Sequence, residues 1–300
     1  MDRSRGQIII AAAFALAIVF VSLALILNAA IFTENLATRD SVDDTAVYDF
    51  RDAVGEVTEV LILKGNDNTT SETTESELFD TFRERIEAYS EAERTHSLRT
   101  GSLPQISVAS VHNGTIIRQS ASAPLENNSN NGTWQLAEGV EDFRRFSVTV
   151  DTITGGPTTF TVTNGTHSWE LAIRESSDEA TLTVSAPNGD STTRTEELPV
   201  TVSPTNGSIN GSADPAFDIA DSPTGPVDFW IANGSNTTGT YEVTIDQPKS
   251  TVDLSQYSAP TSPNATVAIY NASVDLDLEQ SELRYTERIL VEPGETDPRS

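Results

Sequence analysis

The stretch Ile8–Phe32 limits this chain more than any other part of it. No charged residue occurs between Gln7 and Thr33, and Ser22 and Asn28 are the polar members of an otherwise apolar run. Twenty-five residues at about 1.5 Å each give a helix of roughly 37 Å, long enough to cross a hydrocarbon layer of ~30 Å with some tilt. The serine can bond back to its own helix, and Asn28 sits near one end, within reach of headgroups. Arg3 and Arg5 precede the run, whereas Glu34, Asp40, Asp43 and Asp44 follow it against Arg39. Positive charge stays on the cytoplasmic side, so a single pass is expected: 1–7 cytoplasmic, 8–32 transmembrane, the remainder extracellular. The cell membrane is then the location and the lipid bilayer the first partner. A cleavable secretory signal is the competing reading. Its apolar core normally spans about 7–15 residues before a small-x-small site. Here the run is longer, and Asn28-Ala29-Ala30 leads into Ile31-Phe32, so a retained anchor fits better.

The cytoplasmic flank adds a resemblance. Arg5-Gly6-Gln7-Ile8, set directly against the apolar run, resembles the class III signal of archaeal pilins and archaellins. In those families a prepilin-type peptidase cuts after the glycine and leaves the apolar helix on the mature protein. The resemblance implies Gly6 and Gln7 as the processing pair, with other pilin-like or surface-layer proteins as partners. Bacterial-type pilins carry a glutamate at the fifth mature position; here that position is Ala11, and archaellins lack the glutamate as well. The stretch through Arg39 is also similar to uncharacterised haloarchaeal membrane proteins of this architecture. A plain signal-anchor behind two arginines accounts for the same residues without cleavage.

Charge narrows the function classes. Lys and Arg number 18 against 45 Asp and Glu, a formal charge of −27, which argues against nucleic acid, whose phosphates require a basic surface. Lys64 and Lys249 are the two lysines, and cysteine is absent; disulfides, thiolate metal sites and cysteine nucleophiles drop out together. Many carboxylates, almost no lysine and abundant Thr, Ser, Ala and Val resemble the proteins of extremely halophilic archaea. Carboxylates keep such a surface hydrated where salt screens their repulsion within ~3 Å near 1 M. The alternative, an acidic disordered chain, conflicts with 37% apolar residues in ordered patterns.

Asn-x-Ser/Thr triplets occur at Asn68, Asn113, Asn127, Asn131, Asn164, Asn206, Asn210, Asn233, Asn236, Asn264 and Asn271. Roughly four are expected by chance from this composition, and none of the eleven precedes the expected exit at Thr33. The excess and its one-sidedness agree with the charge rule and make these asparagines candidate glycosylation sites. Asn-Gly turns beside Thr-rich strands also generate such triplets incidentally.

The periodicity indicates an α+β chain: a transmembrane helix continuing into a short helical region, then a mainly antiparallel β-sandwich ectodomain. Val47, Phe50, Val54, Val57 and Leu61 recur at spacings of three and four, which predicts an amphipathic helix to about Leu63. After a polar loop over 64–74, Thr74 and Glu77 form a capping-box signature. Leu78, Phe79, Phe82, Ile86 and Tyr89 then line a second helix ending near Arg94. Residues 33–100 are therefore expected as a helical stalk or hairpin, with dimerisation through the stripe as the other use. From Leu103 the period becomes two. Ile106–Val111, a turn at His112-Asn113-Gly114 and Thr115–Ile117 read as a hairpin. Phe146–Ile153, Thr158–Thr163, Trp169–Ile173, Thr181–Ser185, Val227–Ile231, Tyr241–Ile245, Val267–Tyr270, Val274–Leu278 and Arg284–Val291 follow as strands, with further turns at Asn164-Gly165 and Asn188-Gly189. Two β-rich lobes are expected, 101–202 and 227–300, around a linker-like boundary at 203–226.

Chemistry-bearing constellations are sparse. Asp275, Asp277 and Glu279 alternate with Val274, Leu276 and Leu278; hard oxygens could take Ca²⁺, but period two marks the solvent face of an acidic strand. Asp214, Asp218 and Asp221 match no EF-hand spacing. His96, His112 and His167 lie among polar or turn residues, and no Gly-x-Ser-x-Gly or His-Glu-x-x-His occurs. Trp134, Trp169 and Trp230 are core if buried, a sugar platform if exposed. No catalytic, cofactor or metal residues are assigned. The expectation is a non-enzymatic structural or interaction protein of the surface; the alternative is an anchored carbohydrate-active hydrolase, since carboxylate pairs for that chemistry have no local spacing rule.

Overall fold

A computed structural model describes residues 47–98, 102–176, 179–219, 223, 225–257, 263–280 and 284–294. The expected transmembrane helix and the Gly6-Gln7 pair lie outside these residues; among the described ones, no helix is long and apolar enough to cross a membrane.

Two helices open the described chain. The first, α1, is helical over residues 47–67, four residues beyond the expected end. Val54 and Ile62 are buried and Phe50 and Leu61 partly so. The second, α2, is Glu75–Ser97. Its capping box is in place: Thr74 Oγ1 accepts from Glu77 N, and the Glu77 carboxylate accepts from Thr74 N. The Thr74 N–H first, and then the Thr74 hydroxyl, donate to the Glu77 carboxylate and hold it below its usual range. Leu78, Phe82 and Ile86 face inward. The helices do not form a free stalk. Their stripes are used within the chain, in one apolar cluster with strand residues Ile106, Val267, Ile269, Val274, Leu276 and Ile289.

Among the described residues, fourteen strands form two antiparallel sheets. They are β1 Leu103–Pro124, β2 Trp134–Val140, β3 Phe143–Ile153, β4 Thr158–Thr163, β5 Ser168–Ser176, β6 Glu179–Ser185 and β7 Ser191–Glu197. After them come β8 Val200–Ser203, β9 Ser208–Ile209, β10 Ser212–Ala213, β11 Val227–Ala232, β12 Thr237–Ile245, β13 Asn264–Glu279 and β14 Arg284–Val291. The larger sheet runs β10-β9-β8-β3-β12-β1-β13-β14, the smaller β2-β11-β4-β5-β6-β7. Strands from both sides of 203–226 thus interleave in both sheets, in place of two separate lobes. The boundary segment itself adds β9 and β10 to the edge outside β8 and buries Phe217 and Ile219 in the core. Its Pro, Asn and Gly residues serve tight turns, with Gly207 and Asn210 at positive φ.

Two expected strand breaks are absent. β1 passes straight through Asn113-Gly114, and β13 joins the two strands expected at 267–270 and 274–278. A Cβ on Gly114 would stand 2.5 Å from the Ile245 carbonyl oxygen and 3.0 Å from Tyr270 Cβ. This glycine permits close approach of neighbours, not a reversal. Register slips at Val108/Ser110 and His112/Asn113 mark bulges instead. The turns at Gly165 and Gly189, both at positive φ, form as expected.

The register also fixes the overall arrangement. Thr115 pairs with Val267 and Ile117 with Ala265, so Ala265 and Val267 share one face of β13. Ala265 belongs to the core between the sheets, Val267 to the helix cluster. The helices and the smaller sheet therefore lie side by side on one face of the larger sheet. Arg51 near the described start of α1 meets Glu287 at 3.3 Å, and Glu287 pairs with Leu276, which pairs with Ile106. The far end of β1, Pro124, pairs with Thr238. From Ile106 to Pro124 the strand covers about 60 Å at ~3.3 Å per residue.

Candidate functional site

A polar cluster lies on the opposite face of the large sheet, where Arg144 pairs across β12 with Thr244. Arg144 is 5% exposed. Its Nη2 donates to Glu292 Oε1 at 2.7 Å and stands 3.6 Å from Asp142 Oδ2, while the guanidinium lies 4.4 Å from the centre of the Tyr270 ring. Glu292 also accepts from Asn271 Nδ2 at 3.4 Å, and the His112 ring meets Tyr270 edge-on at 6.0 Å. Burial pushes the Tyr270 phenol up despite the nearby Arg144 charge. Burial also raises the Asp246 carboxyl, against backbone N–H donors that favour its charge, and the Asp142 carboxylate adds to the rise. A buried guanidinium held by carboxylates and an aromatic face fixes geometry. Here it ties the segment after β14 to β3, 148 residues away.

A groove of about 990 Å³ runs between α2 and the start of β1, lined among others by Glu84, Glu87, Glu91, Leu103, Pro104 and Arg284. β12 pairs with β1 only from Thr115 onward, so this stretch of β1 has an edge without a strand neighbour among the described residues. Ile106 N donates to Ser90 Oγ at 2.9 Å there, and Pro104 contributes no N–H, two devices that blunt an edge. None of the three tryptophans lines the groove.

The residues singled out in sequence are scattered. His96 ends α2, His112 lies on β1 and His167 in the β4–β5 turn; they are not brought together. The acidic face of β13 is paired with β14: Arg288 donates to both oxygens of Asp275 at 2.7 and 3.0 Å, and Arg284 lies 3.5 Å from Asp277 and 3.7 Å from Glu279. The Arg288 hydrogen bonds hold the Asp275 carboxyl below its usual range. Asp214 caps the short helix Pro215–Phe217 and pairs with Arg194 at 2.8 Å; Asp221 lies outside the described residues. Among the described residues no group of three or more His, Asp or Glu stands where it could hold a metal ion. Trp134 and Trp169 are core, whereas Trp230 is 38% exposed on the outer face of the smaller sheet.

The eleven triplets separate into classes. Asn68, Asn131, Asn164, Asn206, Asn210 and Asn233 are exposed at turns and element ends. Asn113, Asn264 and Asn271 lie half-buried within β1 and β13. Asn127 and Asn236 are half-buried in loops, with Nδ2 donating to Gln256 Oε1 and Gly156 O.

Sequence reasoning missed Arg144, Tyr270 and Glu292, since only the register joins them; the unusual Phe143-Arg144-Arg145-Phe146 run inside a strand was the available signal. No curated protein matches this chain, and no solved structure matches it. Residues 2–140, which hold the apolar segment, both helices and the first two strands, match the model of a family of unknown function, DUF7261.

Proposed function

We propose that this chain is a single-pass, membrane-anchored, glycosylated surface protein of a halophilic archaeon, with its N-terminus in the cytoplasm and a structural or interaction role outside. The observation that carries the reading is the uncharged run Ile8–Phe32 between Arg3/Arg5 and the acidic exit. The fold supports it in one respect: α1 starts beside β14, and the opposite tip of the sandwich lies about 60 Å further along β1. An anchor leading into α1 holds that tip well clear of a bilayer. Residues 1–39 carry three arginines against Asp2 and Glu34, so −28 of the charge falls on the remainder, on the side open to salt.

The pilin-like form of this role turns on cleavage after Gly6. Cutting there removes Arg3 and Arg5, leaves the helix with almost no charge at its inner end, and frees it to pack against identical helices in a filament. Without cutting, both arginines stay among the headgroups and oppose extraction. The test is the N-terminal residue of protein taken from membranes and from any filaments, for the natural chain and for Gly6→Val. Gln7 at the natural N-terminus, with a larger membrane-bound Gly6→Val species, is the pilin-like outcome. Equal mobility with Met1 or Asp2 on both leaves a resident anchor.

A further inference from the structure

The structure assigns glycan attachment to the turn triplets and withholds it from those within the large sheet, an inference that rests on the extracellular reading above. The covalent step needs the asparagine amide and the hydroxyl two residues on to reach a transferase together. Nδ2 bonds to the anomeric carbon of a lipid-linked glycosyl phosphate as the anomeric carbon–oxygen bond breaks. The phosphate leaves with that electron pair, and the amide gives up one proton.

In the turns both partners reach solvent, although Asn68 Nδ2 donates to Lys64 O, Asn233 Nδ2 to Pro157 O and Ser235 Oγ to Glu126 there. Asn131 with Thr133, Asn164 with Thr166, Asn210 with Ser212, Asn233 with Ser235 and Asn68 with Thr70 are exposed at both positions; Asn206 is exposed with Ser208 half-buried. Two of these meet at the tip farthest from the described start of α1. Gly234 N donates to Gly132 O at 2.7 Å, Asn233 N to Thr133 Oγ1 at 3.2 Å, and Leu125 N, just past β1, to Gly234 O at 3.1 Å. Glycans on Asn131 and Asn233 would therefore stand together on the outermost loops.

In the strands the second partner is hidden. Thr115 and Thr266, two residues after Asn113 and Asn264, are fully buried. Thr115 Oγ1 donates to Gln247 O at 2.7 Å, and Thr266 Oγ1 accepts from Thr69 Oγ1 at 3.0 Å. Asn113 pairs with Ile269, a member of the helix cluster, and so shares its face of the sheet. A glycan added there before folding would have to fit between the helices and the strands they cover. Asn271 Nδ2 donates to Glu292, the carboxylate that holds Arg144, so a sugar on that atom would break the buried cluster.

Glycopeptide mass spectrometry on the full-length protein, purified from membranes of the cells that make it, tests this. Glycan mass is expected on peptides carrying Asn131 and Asn233 and on other turn triplets, with Asn113, Asn264 and Asn271 bare. Asn131→Gln should lower the intact mass by one glycan, and Asn264→Gln should remove none. Glycans at the strand triplets, with Asn131 and Asn233 bare, would overturn this assignment and leave the extracellular reading standing. A chain bare at all eleven would overturn the glycoprotein reading itself.

Discussion

Asn66 closes an edge that β14 leaves open, and its removal has a calculable cost. β14 pairs with β13 only as far as Ala272. Beyond that, Asn66 at the end of α1 takes the place of a strand: Nδ2 donates to Ile269 O at 2.9 Å, and Oδ1 accepts from Ile269 N at 2.8 Å. The side chain is 3% exposed. Asn66→Ala orphans one buried N–H and one buried C=O, each worth ~1–3 kcal/mol, so a loss of about 3 kcal/mol is expected with partial water entry. Asn66→Asp keeps the acceptor for Ile269 N but sets a carboxylate against Ile269 O. It should cost at least as much at neutral pH and recover part of the loss on acidification, when the protonated carboxyl can donate again. For a domain of this size, 3 kcal/mol is roughly 6–12 °C in Tm. Heat unfolding of a soluble piece from Asp40 onward, followed by circular dichroism at high salt, reads it directly. Glu56→Ala, exposed on α1, is the control and should cost no more than about 0.5 kcal/mol. A shift for Asn66→Ala as small as the control's would refute the edge-closing role.

Gly114→Ala should destabilise the same piece by ~1–3 kcal/mol, because its Cβ meets backbone that cannot yield, while Gly55→Ala, with nothing within 4 Å, should stabilise α1 by up to ~1 kcal/mol; thermal melts compare them. Asp246 has a folded pKa above its unfolded one, so the natural chain loses stability as pH rises through that range. Asp246→Asn should therefore raise Tm at pH 7 and show no advantage well below pH 4. Dialysis to low salt should abolish the β-type circular dichroism of the piece from Asp40 onward, through self-repulsion of its excess carboxylates; unchanged spectra would remove the halophile argument.

Locally coded features were legible in the sequence. The Thr74–Glu77 box, the helical stripes and the Asn164-Gly165 and Asn188-Gly189 turns each depend on residues within a few positions. Asn113-Gly114 carries the same dipeptide yet continues a strand, because the carbonyl of Ile245 and the ring of Tyr270 decide its conformation from more than 100 residues away. β7, Ser191–Glu197, lacks apolar residues to alternate and is a solvated edge strand, so periodicity could not find it. β2 was missed although Trp134, Leu136 and Val140 are buried; its alternation is broken at Ala137 and Gly139. Of the site, the triplets were visible as a pattern, but their division into exposed turns and closed strands needed the register. The Phe143-Arg144-Arg145-Phe146 run marks Arg144, but its joining to Glu292, 148 residues away, rests on the register.

Protease added to intact cells that make the protein reads which side of the membrane the chain beyond Asp40 occupies. Digestion of everything beyond about Asp40 is expected, with survival of a short membrane-protected fragment containing Ile8–Phe32. Full-length protein surviving a treatment that digests known surface proteins in the same cells would contradict an extracellular position.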